Sequence, residues 1–138
     1  METHLIEVQL DEEEGALAAV ARVLASASLN ISGFCVDRQC ARFLSDRPRQ
    51  AEEALSLAGF RPSTTRVAEL RLDDRPGELA RFCEALAARG VRIEHGFGLA
   101  AGGLGRIYIR VDDLRRAAPV FDARGKGPLV AHAGLGRI

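Results

Sequence analysis

The segment Leu72-Asp73-Asp74-Arg75-Pro76-Gly77-Glu78-Leu79 holds residues whose types and order could do chemistry. Proline just ahead of a helix sets the chain for helical geometry. Gly77 lets the backbone come close to a ligand or a neighbouring strand. A helix that starts here presents N–H groups and the positive end of its dipole, which suit a carboxylate. Asp73 and Asp74 lie beside it and could hold an ammonium group. N–H groups for a carboxylate, next to carboxylates for an amine, make a site for a free amino acid. The same residues also make a capped turn with no ligand, and the turn alone leaves both readings open.

Other constellations carry less. His95, Cys35 and Cys40 can be drawn together, but paired ligand spacing is absent, so no metal and no other cofactor is expected. His4 and His132 are isolated. No G-x-S-x-G, H-E-x-x-H or Walker A sequence occurs. No nucleophile–base pair is visible, and an enzyme is not expected. Gly102 to Gly105 precede a strand rather than a helix and read as a hairpin turn, not a phosphate loop. The closing Gly134-Leu135-Gly136-Arg137-Ile138 repeats the wording of Gly103 to Ile107, without a physical reason.

Composition narrows the class. Of the 138 residues 47% are hydrophobic and 28% charged, enough apolar material for a folded core. Lys+Arg and Asp+Glu both number 19, so there is no basic surplus for nucleic acid. Lys126 is the only lysine and Tyr108 the only tyrosine, and tryptophan is absent. Few rings are left for stacking on bases or sugars. No run approaches the roughly 20 apolar residues of a membrane span. The acidic start METHLIEVQLDEEEG does not read as a signal peptide. A cytoplasmic protein with reduced thiols is expected; Cys83 sits at core spacing.

A repeat must position the turn. Residues 8–31 read VQLDEEEGALAAVARVLASASLNI, and residues 70–93 read LRLDDRPGELARFCEALAARGVRI, at a constant offset of 62. Leu10, Asp11, Gly15, Leu17, Leu24 and Ile31 match Leu72, Asp73, Gly77, Leu79, Leu86 and Ile93. In the first copy Ile6, Val8 and Leu10 alternate as a strand, and Gly15 to Ser28 have helical spacing. Strands at Asn30 to Val36 and Ala41 to Ser45 follow. A helix then spans Pro48 to Ala58, ended by Gly59, and an extended run occupies Ser63 to Val67. The second copy gives a strand at Val67 to Leu72, a helix at Gly77 to Arg89 ended by Gly90, and strands at Val91 to Leu99 and Leu104 to Val111. Asp112 is placed to cap a helix reaching Ala123 and ended by Gly125, in which Pro119 predicts a kink or a late start. Pro128 to Leu135 would be the last strand. Ser63 to Leu72 holds no turn signal, so one copy should run straight into the next.

The order is βαββαβ, twice: an α+β chain of two ferredoxin-like units, each an antiparallel sheet with both helices on one face. Each unit is small for independent stability, so the two should pack together.

The segment LRLDDRPGELARFCEALAARGVRI resembles the opening of an ACT domain, whose pattern is a strand, D-x-P-G-x-L and an amphipathic helix. Asp73 or Asp74, Pro76, Gly77 and Leu79 carry the likeness. The first copy keeps Asp11, Gly15 and Leu17, has Glu14 in place of proline, and adds Leu29-Asn30-Ile31. The resemblance implies two tandem ACT domains, 1–66 and 67–138, with no catalytic domain attached. It implies regulation by a bound free amino acid, lodged between the first turn of one domain and the second strand of its neighbour. Carried over, Asp73, Asp74, Arg75, Pro76, Gly77, Glu78 and Leu79 would face Asn30, Ile31 and Ser32. The mirror site would set Asp11 to Leu17 against Arg92, Ile93 and Glu94, where the run Glu12 to Glu14 would repel a carboxylate. Side-by-side sheet pairing implies a homodimer, and a regulated enzyme would be a further partner. The rival reading is an assembly module whose sheet edges pair with another chain and whose ligand site is vestigial.

Overall fold

The computed structural model describes residues 3–123. The chain divides into two compact units, one spanning 4–65 and the other beginning at 66 and taking in Thr3.

The first unit holds β1 (His4–Gln9), α1 (Ala16–Ser26), β2 (Gly33–Val36), β3 (Cys40–Leu44), α2 (Pro48–Leu57) and β4 (Pro62–Arg66). The strand order is β2-β3-β1-β4, the order of a ferredoxin-like sheet. β3 runs antiparallel to both β1 and β2. Ile6, Val8, Ala41 and Phe43 on one sheet face pack with Val20 and Leu24 of α1 and Ala51 and Leu55 of α2. Both helices therefore lie on that face. The helical spacing of these apolar residues is what turns each helix inward.

The second unit holds β5 (Ala68–Asp73), α3 (Glu78–Ala88), β6 (Ile93–Ala101), β7 (Leu104–Val111) and α4 (Leu114–Ala123). Its sheet has the order β5-β7-β6, antiparallel throughout. Phe82 and Leu86 of α3 meet Leu70, Leu72, Ile109 and Val111 of the sheet and Ala117, Val120 and Phe121 of α4. The Phe82 and Phe121 rings stack with centroids 6.0 Å apart. Each such buried ring contributes about 1.5–3 kcal/mol through area removed from water. Cys83 is half-buried against this core. The expected strand Pro128 to Leu135, the helix end at Gly125, His132 and the Gly134 to Ile138 echo lie outside the described residues.

Helix ends follow the glycine pattern. Gly59 and Gly90 take left-handed φ values of 90° and 68° just past α2 and α3. Phe60 and Val91 then donate back to the Leu55 and Leu86 carbonyls, which satisfies a carbonyl of the last turn. Ser28 fills the same corner after α1 with φ 56°, the position that Gly90 holds in the other copy.

Three expectations are corrected. Asp113, not Asp112, caps α4: its Oδ1 accepts the Arg116 N–H at 3.0 Å. The Asp112 carboxylate instead accepts the Arg92 N–H at 2.9 Å, tying the start of β6 to the end of β7. Of the two effects expected of Pro119, the late start does not occur: α4 begins at Leu114 and runs through the proline. β2 begins at Gly33 rather than Asn30, since Asn30 and Ile31 only approach the sheet and Ser32 gives its N–H to the Leu44 carbonyl at 2.9 Å. β4 and β5 do follow one another directly, with Val67 alone between them, although they enter different sheets.

Candidate functional site

The turn after β5 is held by its own backbone. Asp74 donates its N–H to the Gly103 carbonyl at 3.0 Å, and Arg75 donates to Asp73 at 2.9 Å. Glu78 N–H meets the Arg75 carbonyl at 3.2 Å. Gly77 stands at the N-terminus of α3 with φ 90° and ψ −13°, and no side chain caps the helix. Glycine is needed there for that left-handed conformation. Crowding is not the reason: an added Cβ would meet only the flexible Arg81 guanidinium, at 3.4 Å.

The charged side chains of the turn compensate one another. The Arg75 guanidinium lies 2.7 Å from Asp73 Oδ2 and 3.6 Å from Glu78 Oε1. Arg81 also pairs with Glu78. Asp74, Arg75, Pro76 and Gly77 are exposed, as is Leu79, at 58%. The structure thus gathers Asp73 to Leu79 on one corner of the second unit, with both charge signs and an uncapped helix start.

Asn30, Ile31 and Ser32 belong to the first unit. Asn30 is exposed, while Ile31 is half-buried against that unit's core. The Ser32 hydroxyl donates to the Leu44 carbonyl at 3.3 Å. In the mirror turn Gly15 is left-handed, with φ 84°, and no side chain caps α1. Asp11 to Glu14 are exposed beside a shallow depression that also includes Arg38. Arg92 pairs with Asp112, and Glu94 pairs with Arg110.

A cleft of about 410 Å³ lies within the second unit, between the start of α3 and β6. Leu72, Phe82, Ile107 and Ile109 form its apolar floor, and the charged residues Asp74, Arg75 and Glu78 also line it. Arg106 pairs across the strands with Arg71 and Leu99, on the opposite sheet face, and its guanidinium lies 3.2 Å from Glu69. On the cleft's β6 wall Ile93 is the larger side chain, and Gly96, Gly98 and Ala100 on the same face carry at most a methyl group. These three residues were missed from the sequence, although glycines two apart in a strand are the signal for a face lacking side chains.

Titratable groups elsewhere serve the fold. In the β2–β3 turn the Asp37 carboxylate accepts the Gln39 and Cys40 N–H groups, each at 3.0 Å, and pairs with Arg42. The Gln39 bond, then the Arg42 bond, hold its carboxyl below the usual carboxylate range. Burial pushes the Cys35 and Cys40 thiols up, which keeps them protonated and poorly nucleophilic at neutral pH. Among the described residues no group of His, Cys, Asp and Glu is arranged to hold a metal ion. No helix among them is long and apolar enough to cross a membrane.

No protein-family model matches the chain, and no curated protein matches it. Solved structures do resemble it. Protein BT0572 from Bacteroides thetaiotaomicron is 25% identical over 100% of this chain and 98% of its own, with a TM-score of 0.82. The regulatory subunit of aspartate kinase from Thermus flavus is 18% identical over 92% of this chain and 93% of its own, with a TM-score of 0.68. The regulatory subunit of aspartate kinase from Thermus thermophilus, in a ligand-free form, is 18% identical over 93% of each chain, with a TM-score of 0.64. The chain therefore shares, over nearly its whole length, the fold of proteins described as regulatory subunits.

Proposed function

We propose that the chain is a tandem ACT protein, with domains 1–66 and 67–138, that binds a free amino acid and reports its level to a regulated enzyme. The observation that carries this reading is the corner at Gly77. A left-handed glycine opens α3, no side chain caps it, and both charge signs stand beside it. An uncapped helix start favours a carboxylate, and the exposed Asp74 suits an amine. The likeness to regulatory subunits, one of them described as ligand-free, fits a chain that binds and regulates rather than catalyses.

In this reading the ligand's carboxylate meets N–H groups at the start of α3, and its amine meets Asp73 or Asp74. The resemblance to ACT domains adds Asn30, Ile31 and Ser32 to the proposed site, Asn30 offering an amide that both donates and accepts. The protein works as a cytoplasmic homodimer. Calorimetry on two variants tests the site. Asn30→Ala removes one or two hydrogen bonds, each worth about 0.5–1.5 kcal/mol net, for roughly a three- to hundredfold loss of affinity. Gly77→Val should weaken binding further. Parent affinity in both would move the site to the turn at Asp11 to Leu17.

A further inference from the structure

The two units are copies, yet their sheets differ along one line. Residues paired across strands share a sheet face. In the first unit the helix-side rows read Ile6–Phe43–Phe34 and Val8–Ala41–Val36. The corresponding rows of the second unit read Ala68–Ile109–Gly96 and Leu70–Ile107–Gly98. A third row, Leu72–Gly105–Ala100, continues the series towards the turn. Where β2 carries Phe34 and Val36, β6 carries hydrogen atoms. The missing side chains border the cleft of about 410 Å³.

We infer that this cleft is the side-chain pocket for the amino acid, that it takes a large apolar side chain, branched or aromatic, and that each chain binds one such molecule. The inference rests on the amino-acid-binding reading above and adds to it the ligand class and the stoichiometry. The floor of Leu72, Phe82, Ile107 and Ile109 offers no charge to a polar side chain. Asp74, Arg75 and Glu78 also line the cleft and bring both charge signs beside the start of α3, as a zwitterion's two ends require. The volume suits one small molecule, and a cleft this size does not admit a helix about 10–12 Å across. The first unit has the equivalent turn, but Phe34 and Val36 stand on the face that Gly96 and Gly98 leave open.

The glycines also let β6 approach β7. An added Cβ on Gly98 would stand 3.0 Å from the Arg106 carbonyl, so substitution there endangers the fold. Gly96 is more forgiving, with 3.3 Å to Ile109 Cγ2 and 3.4 Å to the Tyr108 carbonyl. Leu79 is exposed and borders the cleft, so Leu79→Asp can charge the pocket without touching the core.

Titration calorimetry of the full chain with leucine, isoleucine, valine and phenylalanine, and with glycine, aspartate and lysine, tests the inference. At least one of the first four should bind at one per chain. Gly96→Val and Leu79→Asp should each weaken it at least tenfold while keeping the parent's circular dichroism, and Phe34→Ala should leave it unchanged. If Gly96→Val fails to fold, Leu79→Asp decides. Two molecules per chain, or parent affinity in a folded Leu79→Asp, overturns the inference. Binding confined to glycine, aspartate or lysine overturns the pocket and leaves the regulatory reading standing. Binding of no amino acid removes both.

Discussion

Gly15 and Gly77 stand 62 residues apart and turn the chain through the same left-handed corner, with φ 84° and ψ 2° at one and φ 90° and ψ −13° at the other. Each opens the helix that follows its unit's first strand. A Cβ on Gly15 would meet nothing within 4 Å, and one on Gly77 would meet only the Arg81 side chain. Alanine at either position should therefore cost about 1–2 kcal/mol through backbone conformation alone. Urea unfolding of Gly15→Ala and Gly77→Ala measures this, and an unchanged midpoint in either would contradict the assigned conformation.

Ser28 makes the converse prediction. It holds a left-handed φ of 56° where the second copy has Gly90. Ser28→Gly should stabilise the protein by about 1 kcal/mol, because relief of left-handed strain exceeds the added freedom of the unfolded chain. A thermal melt showing loss of stability would mean that the serine side chain has an unseen role.

Stability should fall in acid for a reason that can be located. Asp37 in the first unit and Asp112 in the second both have carboxyls held below their ordinary range, by the N–H groups of Gln39 and Arg92 first of all. A depressed carboxyl stabilises above its unfolded value, near pH 4, and that stabilisation is lost as pH falls through the folded value. Melts from pH 7 to pH 2 should show the decline below about pH 4. Asp37→Asn should be less stable at pH 7 and show a shallower decline. A decline of unchanged depth would shift the acid sensitivity to other groups.

Much of this was legible in the sequence because it depends on local rules. The offset of 62, the alternation in β1 and β5, and the glycines at 59 and 90 each act within a few residues of where they sit. Asp112 and Asp113 show where such rules stop. Either can cap a helix, and the choice was made by Arg92, which stands just before β6 and gives its N–H to Asp112. The Asp73 to Leu79 turn was visible for the same local reason. The cleft beside it was not, because Gly96 and Gly98 matter only through their register with Ile109 and Ile107. Cross-strand register is a tertiary property.

Assembly is open to a direct measurement. Among the described residues β2 is an edge strand, with Phe34 60% and Val36 46% exposed on it. Open edges with apolar side chains invite pairing. Sedimentation at micromolar concentration should give a species about twice the 14.9 kDa chain. A monomer with and without amino acids would remove the proposed homodimer.

Thermal unfolding of the intact protein with each common amino acid in turn tests the binding of a free amino acid most directly. A ligand that occupies the folded state at 100 times its dissociation constant adds about 2.7 kcal/mol of stability. At least one amino acid should raise the melting temperature in a concentration-dependent way, and its effect should shrink in Asn30→Ala. An unchanged melting temperature with every amino acid at millimolar concentration would contradict a role in amino-acid sensing.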